Sequence, residues 1–458
     1  MVRIHDTLLG RETDLVQRIA GSVSIYVCGP TVYEVPHVGH GRTALVYDVI
    51  RRYLTWTGLD VMYVSNVTNV EDKIIARAAR EGTSEAEVAD RYEAAYWAEL
   101  IRLNVDEPDA VPRATQFVEP MIDLIAELIT AGHAYVIEGE GVYFAVGTFP
   151  AYGELSHRRL QDLLDSAGTR VEVDEQKRSP VDFALWKAAK PGEPDWDSPW
   201  GRGRPGWHIE CSAMSLAILG EGFDLHGGGD DLVFPHHENE RAQAEGAGHA
   251  FARHWIHSGM VMTGGEKMSK SLGNYTTLGG AIDAHGPRAF RLAVLQVHYR
   301  SQMELGDAEL RSAAEAVGRL DALVRRAEAA GVVSDASLLD VEVVASFRAA
   351  MDNDFGTSAA VAAVFDAVRR ANTEIDADNL ANAGLLVGTV RHLLAALGLE
   401  IGVADDQDGD DDVIERLIAE REGARVSKDF ATADRVRDEL ATLGITLEDT
   451  PSGTLWHR

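Results

Sequence analysis

The sequence predicts an α/β protein, with a parallel-sheet domain first and helical appendages after it. Three observations predict this. The β-branched, alternating run Val23-Ser24-Ile25-Tyr26-Val27 passes straight into Cys28-Gly29-Pro30, as a strand ending in a loop does. Beyond His40-Gly41-Arg42, the apolar residues Val46, Val49, Ile50, Tyr53 and Leu54 recur at helical spacing, which is one face of an amphipathic helix. Gly58 closes that helix, and Val61-Met62-Tyr63-Val64 reads as the next strand. A strand–helix–strand unit of this size implies a parallel sheet of Rossmann type, with ligands at the carboxyl ends of its strands. Cys28, His37 and His40 fall at that edge.

Residues 1–305 read as this sheet domain, interrupted from about 100 to 200 by an inserted connective region. The insertion carries a helical stretch from Val118 to Thr130, a hairpin pattern from Ala134 to Val146 and a Pro/Gly/Trp-rich run from Pro191 to Gly206. The sheet pattern resumes at Phe223-Asp224-Leu225-His226-Gly227-Gly228-Gly229-Asp230-Asp231. A further strand, Ile256 to Met262, leads into Lys267-Met268-Ser269-Lys270-Ser271. Residues 306–400 are helical in pattern and contain no proline, which reads as a bundle. Six aspartates between Asp405 and Asp412 mark 401–412 as an acidic linker, and 413–458 form a small terminal module.

Composition narrows the function classes. With 43 basic against 73 acidic residues the net charge is −30, which argues against a protein that coats nucleic acid through bulk electrostatics. Seven of the basic residues are lysines. The charged N-terminus has no apolar core of a secretory signal, and no apolar run approaches the roughly 18 residues of a spanning helix. A cytoplasmic location without membrane contact is expected. With only Cys28 and Cys211 present, thiol or metal chemistry outweighs a disulfide staple.

Two segments carry the chemistry. Pro36-His37-Val38-Gly39-His40 places two imidazoles and a glycine where a strand turns into a helix, and Lys267 to Ser271 places two ammonium groups and two hydroxyls in a polar loop. No GxxxxGK[ST] occurs anywhere in the chain. The pair indicates another way of holding a triphosphate, for reaction at its α-phosphorus. Histidines beside glycine also cap helices, and a Lys/Ser loop is often a solvated turn. Cys28, Cys211, His236 and Glu240 together would make a set of two thiolates, an imidazole and a carboxylate suited to zinc. On a helix His236 and Glu240 share a face, with His237 and Glu238 pointing elsewhere. The alternative is two buried cysteines and a polar surface helix.

At this point the motifs resemble a known family. Tyr26-Val27-Cys28-Gly29-Pro30-Thr31-Val32-Tyr33, the HVGH at 37–40, Gly206-Trp207-His208-Ile209-Glu210-Cys211-Ser212-Ala213-Met214, His226-Gly227-Gly228-Gly229, Phe234-Pro235-His236-His237-Glu238-Asn239-Glu240 and the KMSKS at 267–271 are similar to those of cysteinyl-tRNA synthetases, which are class I aminoacyl-tRNA synthetases. The similarity extends to Met351-Asp352-Asn353-Asp354-Phe355, Lys428-Asp429-Phe430 and Leu447-Glu448-Asp449-Thr450. Valine replaces the family's usual isoleucine in HVGH and keeps its β-branched character.

The resemblance implies two steps: L-cysteine and ATP give cysteinyl-adenylate and pyrophosphate, and the cysteinyl group then passes to the 3′ end of tRNA(Cys). It assigns catalysis to His37, His40, Lys267 and Lys270, with Pro30, Gly39, Gly228 and Ser269 also contacting ATP. Thr68, Trp207 and Asp231 would line the amino-acid pocket, Asp231 facing the α-ammonium. One Zn2+ per subunit would be held by Cys28, Cys211, His236 and Glu240, and Mg2+ would accompany ATP. Four protein ligands usually close a zinc site, so thiolate ligation requires a fifth position or movement of Glu240. The bundle and terminal module would bind tRNA, with Arg416, Arg421, Arg425, Lys428, Arg435 and Arg437 as a local basic track or as salt-bridged helix faces. A monomer is expected. The alternatives are a paralogue that passes cysteine to an amino-sugar, as in mycothiol biosynthesis, and a catalytically idle binding protein.

Overall fold

The computed structural model describes residues 2–167, 176–263, 266–267, 275–335, 338–402, 411–427, 429–442, 445–450 and 453–457. The first hundred residues form β1 (Arg3–Asp6), β2 (Arg11–Asp14), β3 (Ser22–Val27), α1 (Val38–Trp56), β4 (Asp60–Ser65), α2 (Asp72–Glu81) and α3 (Glu85–Arg102). Then come α4 (Val118–Thr130), β5 (Ala134–Ile137), β6 (Gly141–Phe144), α5 (Leu160–Ala167), β7 (Phe183–Ala188) and β8 (Gly203–Pro205). The chain continues through α6 (Trp207–Leu219), β9 (Leu225–Gly229), α7 (Glu238–Gly246), β10 (His254–Ser258), β11 (Val261–Thr263), β12 (Glu266–Lys267), α8 (Leu278–His285), α9 (Pro287–Leu295) and β13 (Met303–Glu304). The four helices of the bundle follow: α10 (Asp307–Ala329), α11 (Val341–Asp352), α12 (Thr357–Asp376) and α13 (Leu380–Ala395). The last elements are α14 (Asp411–Val426), α15 (Phe430–Thr442), β14 (Thr446–Thr450) and β15 (Gly453–His457).

The central sheet has the order β10-β9-β3-β4 with every pairing parallel. Side chains alternate across β3. Val23, Ile25 and Val27 pack into a core shared with α1, α8, α9 and the four bundle helices, whereas Tyr26 and Cys28 face a second core shared with α4 and α6. A parallel strand covered on both faces reads as continuously apolar rather than as half-polar. The carboxyl ends of β3, β9 and β10 open on one edge. The inserted region supplies a separate antiparallel sheet of order β5-β6-β7-β8.

Three expectations are corrected here. The helix following the HVGH motif is not one-faced: Arg42, Tyr47 and Asp48 on its other sides are buried too. Arg42 donates to the carbonyls of Gly259, Met260, Tyr299 and Ser301, and Asp48 accepts from Arg52 and Arg291. The expected strand from Ile256 to Met262 breaks at Gly259-Met260, so β10 belongs to the central sheet and β11 to a three-stranded sheet of order β12-β11-β13. A Cβ on Gly259 would sit 2.3 Å from the Ser301 carbonyl oxygen, so the chain turns where no side chain fits. Asp411 and Asp412, expected in the linker, begin α14; residues 403–410 lie outside the described residues.

The sheet domain and the bundle are joined at the left-handed pair Asp354-Phe355 (φ 56° and 49°). Asp354 Oδ1 accepts from the His5 backbone N–H at 2.7 Å and the Tyr299 hydroxyl at 2.8 Å, and Oδ2 pairs with Arg300 Nε at 2.6 Å. In the terminal module, Arg421 is buried, Arg435 pairs with Glu420 and Glu439, and Arg437 lies against Asp434 and Asp438. These three are salt-bridged or buried helix residues rather than an open basic track. No described helix is long and apolar enough to cross a membrane.

Candidate active site

Helix α1 starts at the open edge of the sheet. His37 is its N-cap and accepts from Gly39 N at 3.1 Å through Nδ1, while His40 Nδ1 accepts from His37 N at 3.3 Å. The two imidazoles therefore build a reciprocal capping box, with rings stacked at 3.8 Å. A Cβ on Gly39 would lie 2.9 Å from the His37 ring. Burial, with a smaller contribution from neighbouring His37, pushes the His40 pKa down to about 3, so His40 is neutral at pH 7. The positive end of a helix of this length attracts anions such as phosphate.

The second motif lies largely outside the described residues, which leave out Met268, Ser269, Lys270 and Ser271 as well as Gly264 and Gly265. Lys267 is described through its backbone in β12, which pairs with Met262. The segment that follows returns to the first motif. Val38 N donates to Thr276 O at 3.2 Å, Leu278 N donates to Pro36 O at 2.9 Å, and Tyr275 sets its ring edge-on to His37. Backbone pairing thus brings the segment from Tyr275 to Leu278 beside the first motif.

A cleft of about 360 Å³ opens there, lined by Cys28, Gly29, Pro30, His37, Gly39, His40, Trp207 and Asp231 among others. Gly29 is pressed against the chain just past β4, since a Cβ would meet Asn66 O at 1.7 Å. Thr68 sits behind the cleft wall, 1 % exposed, and donates to Glu210 Oε2 at 3.0 Å. Gly228 is also behind the wall, where its carbonyl accepts from the Tyr47 hydroxyl at 2.9 Å. Sequence reading missed Tyr33 and Lys73, which also line the cleft. It missed Arg42 and Glu210 as well, although both lie beside motif residues.

At the inner end, donor atoms of Cys28, Cys211, His236 and Glu240 all lie within 4.8 Å of one another, and all four residues are buried. Glu240 Oε1 is 3.2 Å from Cys28 Sγ and 3.1 Å from His236 Nε2. The residues before α7 form a π-helical turn containing a non-helical Phe234. As a result His237 does not point away, as an ideal helix would have it. Its Nε2 lies 3.9 Å from Glu240 Oε1, and its Nδ1 is hydrogen-bonded to His257. Cys28, His226, His237 and Glu240 make a second set of four donors sharing two members with the first. Burial raises both thiol pKa values and lowers that of His236. His237 Nε2 and Asn66 Nδ2 are buried without a hydrogen-bond partner, as buried polar atoms seldom are. Two thiols, imidazole and a carboxylate crowded into a dry site fit a divalent transition metal. Trp207 stacks on His236 with ring centroids 4.2 Å apart, so the cluster and the cleft share a wall.

Comparison with known proteins identifies the family. Residues 15–315 match the model of the class I (C) tRNA synthetase catalytic domain, 346–401 match the DALR domain, and 408–456 match the cysteinyl-tRNA ligase anticodon binding domain. The cysteine–tRNA ligase of Trichlorobacter lovleyi is 46% identical over 99% of both chains. That of Halorhodospira halophila is 47% identical over 100% of both. The chain belongs to the cysteine–tRNA ligase family. Its fold is that of a class I synthetase: Mycobacterium tuberculosis methionyl-tRNA synthetase bound by methionyl-adenylate superposes with a TM-score of 0.62 at 16% identity, covering 82% of this chain and 92% of that one. As a cysteine–tRNA ligase family member, this chain carries the HVGH capping box and the buried donor cluster on one cleft.

Proposed function

We propose that this chain activates L-cysteine with ATP and transfers the cysteinyl group to tRNA(Cys), selecting cysteine through a Zn2+ held by Cys28, Cys211, His236 and Glu240. Family membership supports the reaction. The observation that carries the zinc assignment is the convergence of those four donors behind the cleft, which Cys28 itself lines. The chemistry a bound Zn2+ supplies there is ligation of a thiolate, which separates cysteine from serine where a hydrophobic pocket does so poorly.

The chain's own residues position and stabilise. The N-terminus of α1 receives the triphosphate, with the Nε2–H groups of His37 and His40 offered as charge builds on the α-phosphorus and Gly39 leaving room for the nucleotide to approach the backbone. Lys267 and Lys270 supply the cations and Mg2+ accompanies the phosphates, so catalysis is orientation and charge stabilisation without covalent participation. Pro30 contributes to the ATP wall and Ser269 completes the contacts assigned to ATP, while Gly228, bonded to Tyr47, backs that wall. Trp207 covers the amino-acid end, and Asp231 accepts from the α-ammonium. Thr68, bonded to Glu210, backs that pocket. The bundle and terminal module bind the body of the tRNA.

The test is cysteine-dependent ATP–pyrophosphate exchange in zinc-replete protein, with serine as the control. Exchange with cysteine and little with serine is expected; no exchange with cysteine would refute the enzyme assignment. Charging of tRNA(Cys) against glucosaminyl-inositol then separates the ligase from its amino-sugar paralogue.

A further inference from the structure

Lys73 stands at the mouth of the cleft in the first turn of α2, its ammonium 5.3 Å above the ring of Tyr33. Both residues line the cleft, and among the described residues that do so Lys73 is the one carrying an ammonium or guanidinium group. Its acidic neighbours are engaged elsewhere. Asp72 is bound by Lys187 at 2.6 Å and by Arg204, both from the inserted sheet, and the Glu71 side chain accepts from the Lys73 backbone N–H. Among the described residues the Lys73 ammonium has no carboxylate partner, although the chain carries 73 acidic residues. An exposed lysine held over an aromatic ring and left unpaired in so acidic a protein is free to meet an incoming polyanion.

Two polyanions enter this cleft, the triphosphate and the 3′ end of the tRNA, and the variants below separate them. The triphosphate belongs at the His37–His40 end. Tyr33 lies two residues beyond Thr31, which bridges to Thr68 behind the amino-acid pocket, with Val32 N donating to Thr68 O at 3.3 Å. The Lys187–Asp72–Arg204 contacts fix this corner to the inserted region. We propose that Tyr33 and Lys73 dock the single-stranded 3′ end of the tRNA, the ring stacking on a base and the ammonium meeting a backbone phosphate. An aromatic face paired with a cation is the usual platform for single-stranded nucleic acid. The pair would orient the terminal ribose hydroxyl toward the cysteinyl carbonyl, so both residues act by positioning. The inference rests on the function proposed above.

The test uses full-length protein and the variants Lys73→Gln, Lys73→Arg, Tyr33→Ala and Tyr33→Phe. Pyrophosphate exchange, which needs no tRNA, is measured beside charging of tRNA(Cys). Lys73→Gln and Tyr33→Ala are expected to raise KM for tRNA by about tenfold, with exchange changing by less than roughly twofold. Lys73→Arg and Tyr33→Phe should restore charging. The slope of log affinity for tRNA against log salt should fall by about 0.7 in Lys73→Gln, one phosphate contact on a single strand. Parallel loss of exchange with a raised KM for ATP would assign Lys73 to the nucleotide and overturn the proposal, and so would unchanged charging. Absence of exchange in the parent protein would instead refute the underlying function.

Discussion

Removing the Arg42 guanidinium should loosen the floor of the cleft. The side chain is 1 % exposed, and burial lowers its pKa only to about 10, so it is charged at neutral pH. It donates to Gly259 O at 2.8 Å, Met260 O at 2.9 Å, Tyr299 O at 3.2 Å and the Ser301 carbonyl. Tyr299 O also accepts from Gly259 N, and Met260 O from Met303 N, whereas the carbonyls of Gly259 and Ser301 depend on the guanidinium. In Arg42→Met the aliphatic stem remains but two part-buried carbonyls lose a charged donor. At about 1–3 kcal/mol each, the loss is about 2–6 kcal/mol. The expected fall in melting temperature is about 4–12 °C, at roughly 2 °C per kcal/mol for a domain of this size. Arg42→Lys carries three donors and should recover part of it. Because Gly259 and Met260 line the cleft and lead into β11 and β12, KM for ATP in pyrophosphate exchange should rise with the thermal shift. An Arg42→Met protein with the parent melting temperature and KM would show that the four contacts carry no such weight.

Three further outcomes are expected. Cys211→Ser removes one buried thiolate donor, so zinc content measured by atomic absorption should fall and KM for cysteine should rise by about tenfold or more; normal zinc with unchanged kinetics would remove Cys211 from the site. Gly29→Ala places a methyl group against the Asn66 carbonyl, which backbone cannot yield cheaply, and should abolish cysteine-dependent exchange even where soluble protein is recovered. His40 and His257 are both pushed down to about 3 by burial, while unfolded histidines titrate near 6.5. The unfolded chain therefore binds more protons between about 3 and 6.5, and the stability these groups provide is complete above 6.5 and lost as pH falls toward 3. Urea midpoints should drop between pH 7 and pH 5 at constant ionic strength, and pH-independent midpoints over that range would contradict the burial of neutral imidazoles.

Legibility in the sequence followed chemistry rather than position. The helix expected from Val118 to Thr130 has those bounds in the structure, because its apolar period and its flanks act locally. Cys28, Cys211, His236 and Glu240 stood out because the chain has two cysteines and few places to use them. The break at Gly259 was not read: Ile256 to Met262 passes as one strand in sequence, and the carbonyls of Arg300 and Ser301 that crowd Gly259 arrive from about 40 residues away. His237 defeated ideal-helix arithmetic because the turn before α7 is π-helical. Arg42 and Lys73 were missed for a different reason. Each is an ordinary basic residue until burial or the absence of a carboxylate partner gives it meaning. Scarcity was the available signal, since a chain with only seven lysines has few to spare for a cleft mouth.

Asp354 has a mechanical consequence. One carboxylate rooted in the bundle is bonded to the first strand and to Tyr299 and Arg300 at the end of the sheet domain, so a swivel at that joint would break all three contacts. The span from the cleft to the far helices is set by the protein, as in a fixed gauge rather than an adjustable caliper. A long substrate touched at both places must bend to the gauge, and one of the wrong length meets it at one jaw only.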